Sequence, residues 1–361
     1  MKIVRAEVIP VVIPFSDGGG AGAGLMPNQK WDRLEIILVR LEAEDGTVGW
    51  GEAFAYSCRS ATLAALRDMV FPMVVGAEVE DIPAFTRLLE RKLHIQGRFG
   101  IVLFAISGVD IALWDMAAKQ AGLRLADLLG LKRERFPAYA SMVRYGDPAM
   151  VEARARRAAE AGYPSMKLHE IALPCIEAGR RGAPSVKLTT DVNCNWSADE
   201  ARRLLPEMKA HGLHWVEEPV WPPDDCGQLS ALEAEFGVSL ASGENAGTAQ
   251  PFAEIVKAVT FPQPSVTKVG GVTEFRAVHA LAAAAGKETM PHCPYFGPGY
   301  WASAQLMGAM EVGMFEFLDI EAEAWLAPDM PLPEGGTIRL PSRPGLGFEP
   351  DMAVVERFRV A

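Results

Sequence analysis

The chain lacks the features that would place it in several broad classes. Its five cysteines, Cys58, Cys175, Cys194, Cys226 and Cys293, are scattered and odd in number, with no CxxC pair. Neither a disulfide framework nor a zinc ribbon is expected, and a reducing cytoplasm fits this usage. Basic charge is in deficit: 35 Lys and Arg against 46 Asp and Glu give a net charge of −11. So acidic a chain has no electrostatic reason to bind nucleic acid or an anionic membrane surface, although an acidic site for a cation stays open. No apolar run reads as approaching the roughly 20 residues that span a bilayer. The N-terminus does not read as a signal peptide, because Arg5 and Glu7 interrupt its apolar run and Pro10 and Pro14 break it. No GxGxxG or GK[ST] opens a helix, so no phosphate loop is expected.

What is present is an ordinary globular composition, 49% hydrophobic and 22% charged over 361 residues. That length suits about two domains, or one barrel with an addition, and buries a large core without disulfides. Val4–Ile13 and Leu34–Leu41 read as strands, the second ended by the turn Glu44-Asp45-Gly46, and Thr47–Glu52 as a third. Between the first two lies the Gly-rich Ser16–Gly24, either a surface linker or a mobile lid. Ser60–Met69, Ile82–Leu93 and Val102–Ala121 change to helical period. Asp110 and Asp115, inside the third, are expected to bond a neighbouring element rather than a ligand. Residues 1–130 thus read as a small α+β domain.

Residues 131–320 alternate short β-type runs with helical ones. The strand candidates are Ala138–Val143, Ser165–His169, Val186–Asp191, Leu213–Glu217, Val238–Gly243, Val259–Val266, Glu288–His292 and Met314–Asp319, with helices beginning near Pro148, Ala198, Asp225, Gln250, Thr273 and Ala302. The connection Ile171–Ala183 has the weakest pattern. Eight strands at near-constant period predict a parallel barrel. A doubly wound sheet would want a Gly-rich first turn, and Arg144-Tyr145-Gly146-Asp147 is not one. Residues 321–361, with one strand-like stretch at Gly336–Leu340, are expected to wrap back onto the first domain.

A parallel barrel carries its chemistry at the C-terminal ends of its strands. Those ends hold Lys167 and His169, then Asp191, Glu217, Glu244, Ser265, His292 and Glu316. Any one carboxylate alone would read as a solvated loop residue. Three on consecutive strands, Asp191, Glu217 and Glu244, would repel one another without a counter-ion. Oxygen donors suit a hard divalent cation, Mg²⁺ or Mn²⁺, and no Cys or His clusters with them to favour zinc.

These residues carry a resemblance to the enolase superfamily, nearest its mandelate racemase and muconate lactonizing enzyme branches. It rests on Gly49-Trp50-Gly51-Glu52, Ile106–Gly130, Asp191-Val192-Asn193, Val216-Glu217-Glu218-Pro219, Gly243-Glu244-Asn245 and Lys268-Val269-Gly270-Gly271-Val272-Thr273. The resemblance implies an α/β fold: a modified (β/α)7β TIM-type barrel with an α+β capping domain formed by the N-terminal segment and the C-terminal tail. It implies Mg²⁺ held by Asp191, Glu217 and Glu244, and lid loops matching Ser16–Gly24 and the loop after Glu52, where Phe54 and Tyr56 face the substrate. The implied chemistry is abstraction of the proton next to a carboxylate, with the cation stabilising the enolate.

The chain departs from both branches at the acid–base positions. Lys167-Leu168-His169 stands where Lys-x-Lys is the pattern, Ser265 stands where an aspartate or lysine is expected, and His292 matches the racemase histidine without its aspartate partner. Glu316 matches a position that hydrogen-bonds the substrate carboxylate. The expected roles are His169 as base, His292 as acid toward a departing hydroxyl, and Lys167 on the substrate carboxylate. Asn193, Glu316, Lys268, Phe54 and Tyr56 are expected at the substrate, although Asn193 and Asn245 also suit helix caps, and Lys268 also suits a bond to the metal-binding carboxylates. Cys293 reads as structural. The expected activity is dehydration of a small hydroxy acid or acid sugar. A racemase or epimerase using both histidines, and a non-catalytic ligand-binding barrel, are the alternatives. The partner expected is a small-molecule carboxylate, in a homo-oligomer.

Overall fold

The computed structural model describes residues 1–18 and 31–361. Most of the Gly-rich segment therefore lies outside the described residues. Strands β1 (Ile3–Ser16), β2 (Arg33–Ala43) and β3 (Val48–Ala53) form an antiparallel meander. A helical run from Arg59 to Val74 follows, then α1 (Ile82–Lys92) and α2 (Ile101–Gln120). Asp81 caps α1 by accepting from Ala84 N at 2.7 Å.

Helix α2 lies directly on β3. A Cβ on Gly51 would come within 1.9 Å of Gly108 O, and one on Gly49 within 2.3 Å of Ala112 O. Only glycine permits so close an approach, which is why the Gly49-Trp50-Gly51 motif has its spacing. Asp115 accepts from Trp50 N at 2.8 Å and Leu346 N at 2.7 Å, and Asp110 from Thr86 Oγ1 at 2.7 Å and Thr273 N at 3.0 Å. Both aspartates join neighbouring elements. Helix α2 also brings a correction: its 20 residues are long and apolar enough to cross a membrane by length and composition. In this fold 78% of its most apolar stretch is buried, as befits a core helix.

The barrel runs through β4 (Arg135–Ser141), β5 (Ser165–Leu168), β6 (Lys187–Asp191), β7 (Leu213–Glu217), β8 (Leu240–Ser242) and β9 (Phe261–Pro262), and β10 (Phe315–Leu318) closes on β4. Every neighbouring pair is parallel. Helices α3 (Pro148–Glu160), α4 (Leu173–Gly182), α5 (Ala198–Ala210), α6 (Cys226–Phe236), α7 (Ala249–Ala258), α8 (Gly271–Ala284) and α9 (Pro298–Ala309) alternate with the strands. Two staves differ from expectation. Val259–Val266 keeps only two residues of strand, and Glu288–His292 forms no regular strand. The latter still fills its gap: Met290 N donates to Pro262 O at 3.0 Å, His292 N to Pro264 O at 3.1 Å, and Gly313 N to Thr289 O at 2.8 Å. Pro262, Pro264 and Pro291 have no N–H, and each removes a rung of the ladder.

The tail returns in two ways. Residues β11 (Glu321–Ala322) pair with the end of β1, and Val360 N donates to Pro10 O at 3.0 Å. The stretch Gly336–Leu340 instead supplies β12 (Thr337–Arg339), antiparallel to Arg135–Pro137 of β4. Those three residues precede the first parallel partners of β4, at Ala138 and Tyr139, so their backbone groups take a strand from the tail.

Candidate active site

The strand ends converge as the parallel register requires. Asp191 stands opposite Glu217, and Glu217 opposite Ala241, so adjacent strands deliver their carboxylates at one height. Glu244 follows Gly243, whose φ of 122° belongs to glycine and whose Cβ would lie 2.7 Å from the Phe252 ring. Ligand atoms of Asp191, Glu217 and Glu244 all lie within 4.8 Å of one another, and all three residues are buried.

The local bonding aims these carboxylates. Asp191 Oδ1 accepts from Asn193 N at 2.8 Å in an Asx turn, with Asn193 in the left-handed region at φ 45°. Its other oxygen, Oδ2, is buried with no hydrogen-bond partner. Glu217 Oε1 accepts from Lys167 Nζ at 3.0 Å, and Oε2 from Trp215 Nε1 at 3.1 Å and Gln263 Nε2 at 2.8 Å. Burial, together with Glu217, pushes the Asp191 carboxyl well above its ordinary range, and burial with Glu244 and Glu217 pushes Glu218 up to about 8. An all-oxygen, anion-crowded pocket with an orphaned carboxylate oxygen fits a hard divalent cation.

Lys167 is fully buried and does not line the cavity. Its Nζ lies 2.8 Å from Glu316, 3.0 Å from Glu217 and 3.7 Å from Asp191. Burial opposes its charge, yet Glu217 and Glu316 hold it well above the ordinary lysine value. Glu316 also accepts from Ser141 Oγ at 2.9 Å and Cys293 N at 3.1 Å. Lys268 Nζ bonds Asn245 Oδ1 at 3.0 Å, lies 3.5 Å from Glu244, and stands 4.5 Å from the centre of the Phe54 ring. Asn193 and Asn245 cap no helix, since α5 is opened by Ser197 and α7 follows Thr248.

The two histidines face the cavity differently. His169 Nδ1 contacts the carbonyl of Met142, which only accepts, so Nδ1 carries the hydrogen and a neutral ring leaves Nε2 bare. That Nε2 lies 3.5 Å from Asp191 Oδ2. Burial and the Lys167 charge push the imidazole down to about 3. His292 Nε2 lies 3.1 Å from Glu244 Oε2, and its Nδ1 lies 3.3 Å from both Ser265 Oγ and Tyr295 OH. Ser265 therefore does reach the ring.

These groups border a cavity of about 140 Å³, sized for a small molecule. Its barrel side includes Arg144, His169, Asp191, Asn193, Glu244 and Glu316, and its capping side Trp31, Leu34, Glu52, Phe54 and Tyr56. Sequence reasoning missed four of the residues here. Arg144, which donates to His169 O and to Asn193 Oδ1, lies beyond the strand end that the pattern suggested. Tyr295 carries no sequence signal, because it follows the irregular seventh stave. Trp31 meets the Tyr56 ring at 5.2 Å, a contact only the fold creates. Glu52 belongs to a recognised motif, but only the fold brings its Oε2 to 2.8 Å from Gly299 N, at the start of α9, where burial pushes it up to about 7.

Comparison with known proteins gives the same architecture. Residues 28–130 match the mandelate racemase / muconate lactonizing enzyme N-terminal domain, and residues 150–354 the enolase C-terminal domain-like family. The chain is 31% identical to a 3,6-anhydro-alpha-L-galactonate cycloisomerase of Streptomyces coelicolor, over 91% of this chain and 92% of that protein. It is 27% identical to an arabinonate dehydratase of Saccharolobus solfataricus, over 90% and 91%. A crystal structure of a racemase from Streptomyces coelicolor with bound magnesium superposes with a TM-score of 0.87 at 27% identity, over 99% and 100%.

Proposed function

Because the chain belongs to the mandelate racemase / muconate lactonizing enzyme family of the enolase superfamily, we propose that it removes the proton α to the carboxylate of a small acid sugar and expels the oxygen on the β-carbon as water. The observation that carries this reading is His169: a neutral base nitrogen facing the cavity beside the carboxylate triad. Asp191, Glu217 and Glu244 would hold Mg²⁺, which when bound stabilises the negative charge that develops on the substrate carboxylate. Lys167 keeps a fixed positive charge beneath that place. His169 Nε2 takes the α-proton, its ring held by the bond from Nδ1 to Met142 O. His292, also at the cavity, gives the departing oxygen the proton with which it leaves as water. Lys268 from the barrel meets the Phe54 ring of the capping side, and the pair limits access of water to the reaction.

A second reading keeps the same step but makes the leaving oxygen part of a ring, as in a cycloisomerase. The apolar capping surface of Trp31, Leu34 and Phe54 favours it, because such a wall suits the C–H face of a cyclic substrate. A racemase needs a second base. His292 has two hydroxyls on Nδ1, where His169 has a carbonyl that holds the hydrogen on the far nitrogen and leaves Nε2 bare, which disfavours that reading.

The test is a screen of open-chain and anhydro acid sugars with Mg²⁺ in D₂O, scoring exchange of the α-hydrogen and formation of the 2-keto-3-deoxy product together. His169→Asn is expected to abolish both. Exchange with scrambled configuration and no elimination would support the racemase instead. Tight binding of an acid sugar with neither outcome would make the barrel a binding protein.

A further inference from the structure

The charges that line the cavity are matched, with one exception. Glu35 pairs with Arg59 at 2.9 Å, Glu316 with Lys167 at 2.8 Å, and Glu52 accepts from Gly299 N at 2.8 Å. Asp191 and Glu244 belong to the triad, and Lys268 stands 3.5 Å from Glu244. Arg144 lines the same cavity and makes no ion pair among the described residues. Its two partners, His169 O and Asn193 Oδ1, are both neutral. The buried Glu170, next to His169, turns its oxygens to the backbone instead, accepting from Tyr145 N at 2.7 Å and Gly146 N at 3.2 Å. Those bonds fix the turn that carries Arg144 into the cavity.

The free donors of Arg144 suit one kind of group. A guanidinium has five N–H hydrogens in a planar fork. Nε donates to His169 O and Nη2 to Asn193 Oδ1, so three hydrogens remain, all on the terminal nitrogens Nη1 and Nη2. Each terminal nitrogen can still offer one, the arrangement that holds a carboxylate by two parallel bonds. Burial works against the charge and lowers the guanidinium from its ordinary value, although Asp191 and Glu170 favour it. An anion would relieve that cost, whereas a sugar hydroxyl would satisfy the donors and leave the charge unmatched. The carboxylate beside the reacting carbon already has its place, at the triad with Lys167 beneath.

We infer that Arg144 receives a second carboxylate, at the far end of the substrate chain, so that the preferred substrate is a sugar diacid rather than a sugar monoacid. This rests on the acid-sugar reading above and deepens it. One carboxylate is set at the triad, where charge develops during proton removal, and the other at Arg144, where it fixes the length and register of the chain between them.

The test compares matched acids. Four- to six-carbon aldarates, each against the aldonate of the same configuration, are titrated calorimetrically into the full chain in the presence of Mg²⁺. Wild type is expected to bind its best diacid about ten- to a hundredfold more tightly than the matching monoacid, the range for hydrogen bonds to a charged group. Arg144→Gln should erase that preference, with monoacid affinity within about twofold of wild type and Mg²⁺ affinity unchanged. Arg144→Lys keeps the charge without the fork and should retain only part of the preference. Equal affinities within every wild-type pair, or no binding of any diacid, would overturn the inference. So would parallel weakening of both acids by Arg144→Gln, which would put Arg144 on the first carboxylate or on a hydroxyl. Should the glutamine variant fail to fold, an undiminished preference in Arg144→Lys would overturn it equally. Exchange and loss of water, scored in D₂O on the same acids, separate the two readings. A diacid that binds through Arg144 but neither exchanges nor eliminates would end the elimination reading and leave the diacid assignment standing; turnover of monoacids alone would do the reverse.

Discussion

Replacing Glu217 by Gln separates the structural duty of one carboxylate from its proposed duty toward Mg²⁺. The side chain is fully buried and receives Lys167 Nζ at 3.0 Å on Oε1, and Trp215 Nε1 at 3.1 Å and Gln263 Nε2 at 2.8 Å on Oε2. Glutamine keeps the shape but has one accepting oxygen. Its NH₂ must face either the ammonium or the two neutral donors, so at least one buried donor loses its acceptor. Lys167 keeps Glu316 at 2.8 Å, which holds the loss near the lower end for a broken buried pair, about 3 kcal/mol. The fold is expected to survive, since domains hold roughly 5–15 kcal/mol. With Mg²⁺ at a hundred times its dissociation constant, wild type should gain about 2.7 kcal/mol by linkage and the variant almost none. Urea denaturation with and without Mg²⁺, alongside calorimetric titration, measures both quantities. The gap should be about 3 kcal/mol without metal and nearly twice that with it. An equal gain from Mg²⁺ in both proteins would put the cation elsewhere. Equal stability without metal would refute the hydrogen-bond accounting.

Two further expectations concern parts of the fold away from the triad. Asp115→Ala leaves Trp50 N and Leu346 N without their acceptor, and should cost about 3 kcal/mol in urea denaturation while leaving kcat of the folded enzyme unchanged; altered kinetics at full stability would contradict a purely structural role. Glu52 is raised by burial to about 7, so the unfolded chain releases this proton at lower pH than the folded one. Its contribution is complete below the ordinary glutamate value and fades as pH rises to about 7, a loss of up to about 3 kcal/mol. Glu52→Gln should flatten stability against pH between 4.5 and 7, and parallel curves for the two proteins would show that the group does not titrate there.

Much of this was legible in the residues because it depends on local pattern. The alternation of β-type and helical runs placed seven of the eight staves as regular strands, and the spacing of Asp191, Glu217 and Glu244 followed from one strand–helix unit per carboxylate. The exceptions share a cause. Pro262, Pro264 and Pro291 withhold N–H groups, so a β-type composition gives a stave held by isolated bonds. The helix Ile101–Gln120 shows the converse limit: a single chain of apolar residues suits a membrane or a core equally, and only its packing on β3 decides between them.

By itself the sequence determined which residue types arrive at the mouth of the barrel, because strand direction and side-chain alternation are fixed by local backbone geometry. It did not determine what each one does there. Lys167 became a buried counter-charge to three carboxylates, Arg144 entered the cavity from a turn, and Tyr295 reached the far nitrogen of His292 from the following loop. The role of a histidine depends on which atom stands behind its ring. Met142 O behind His169, and two hydroxyls behind His292, come from separate elements joined only by tertiary folding.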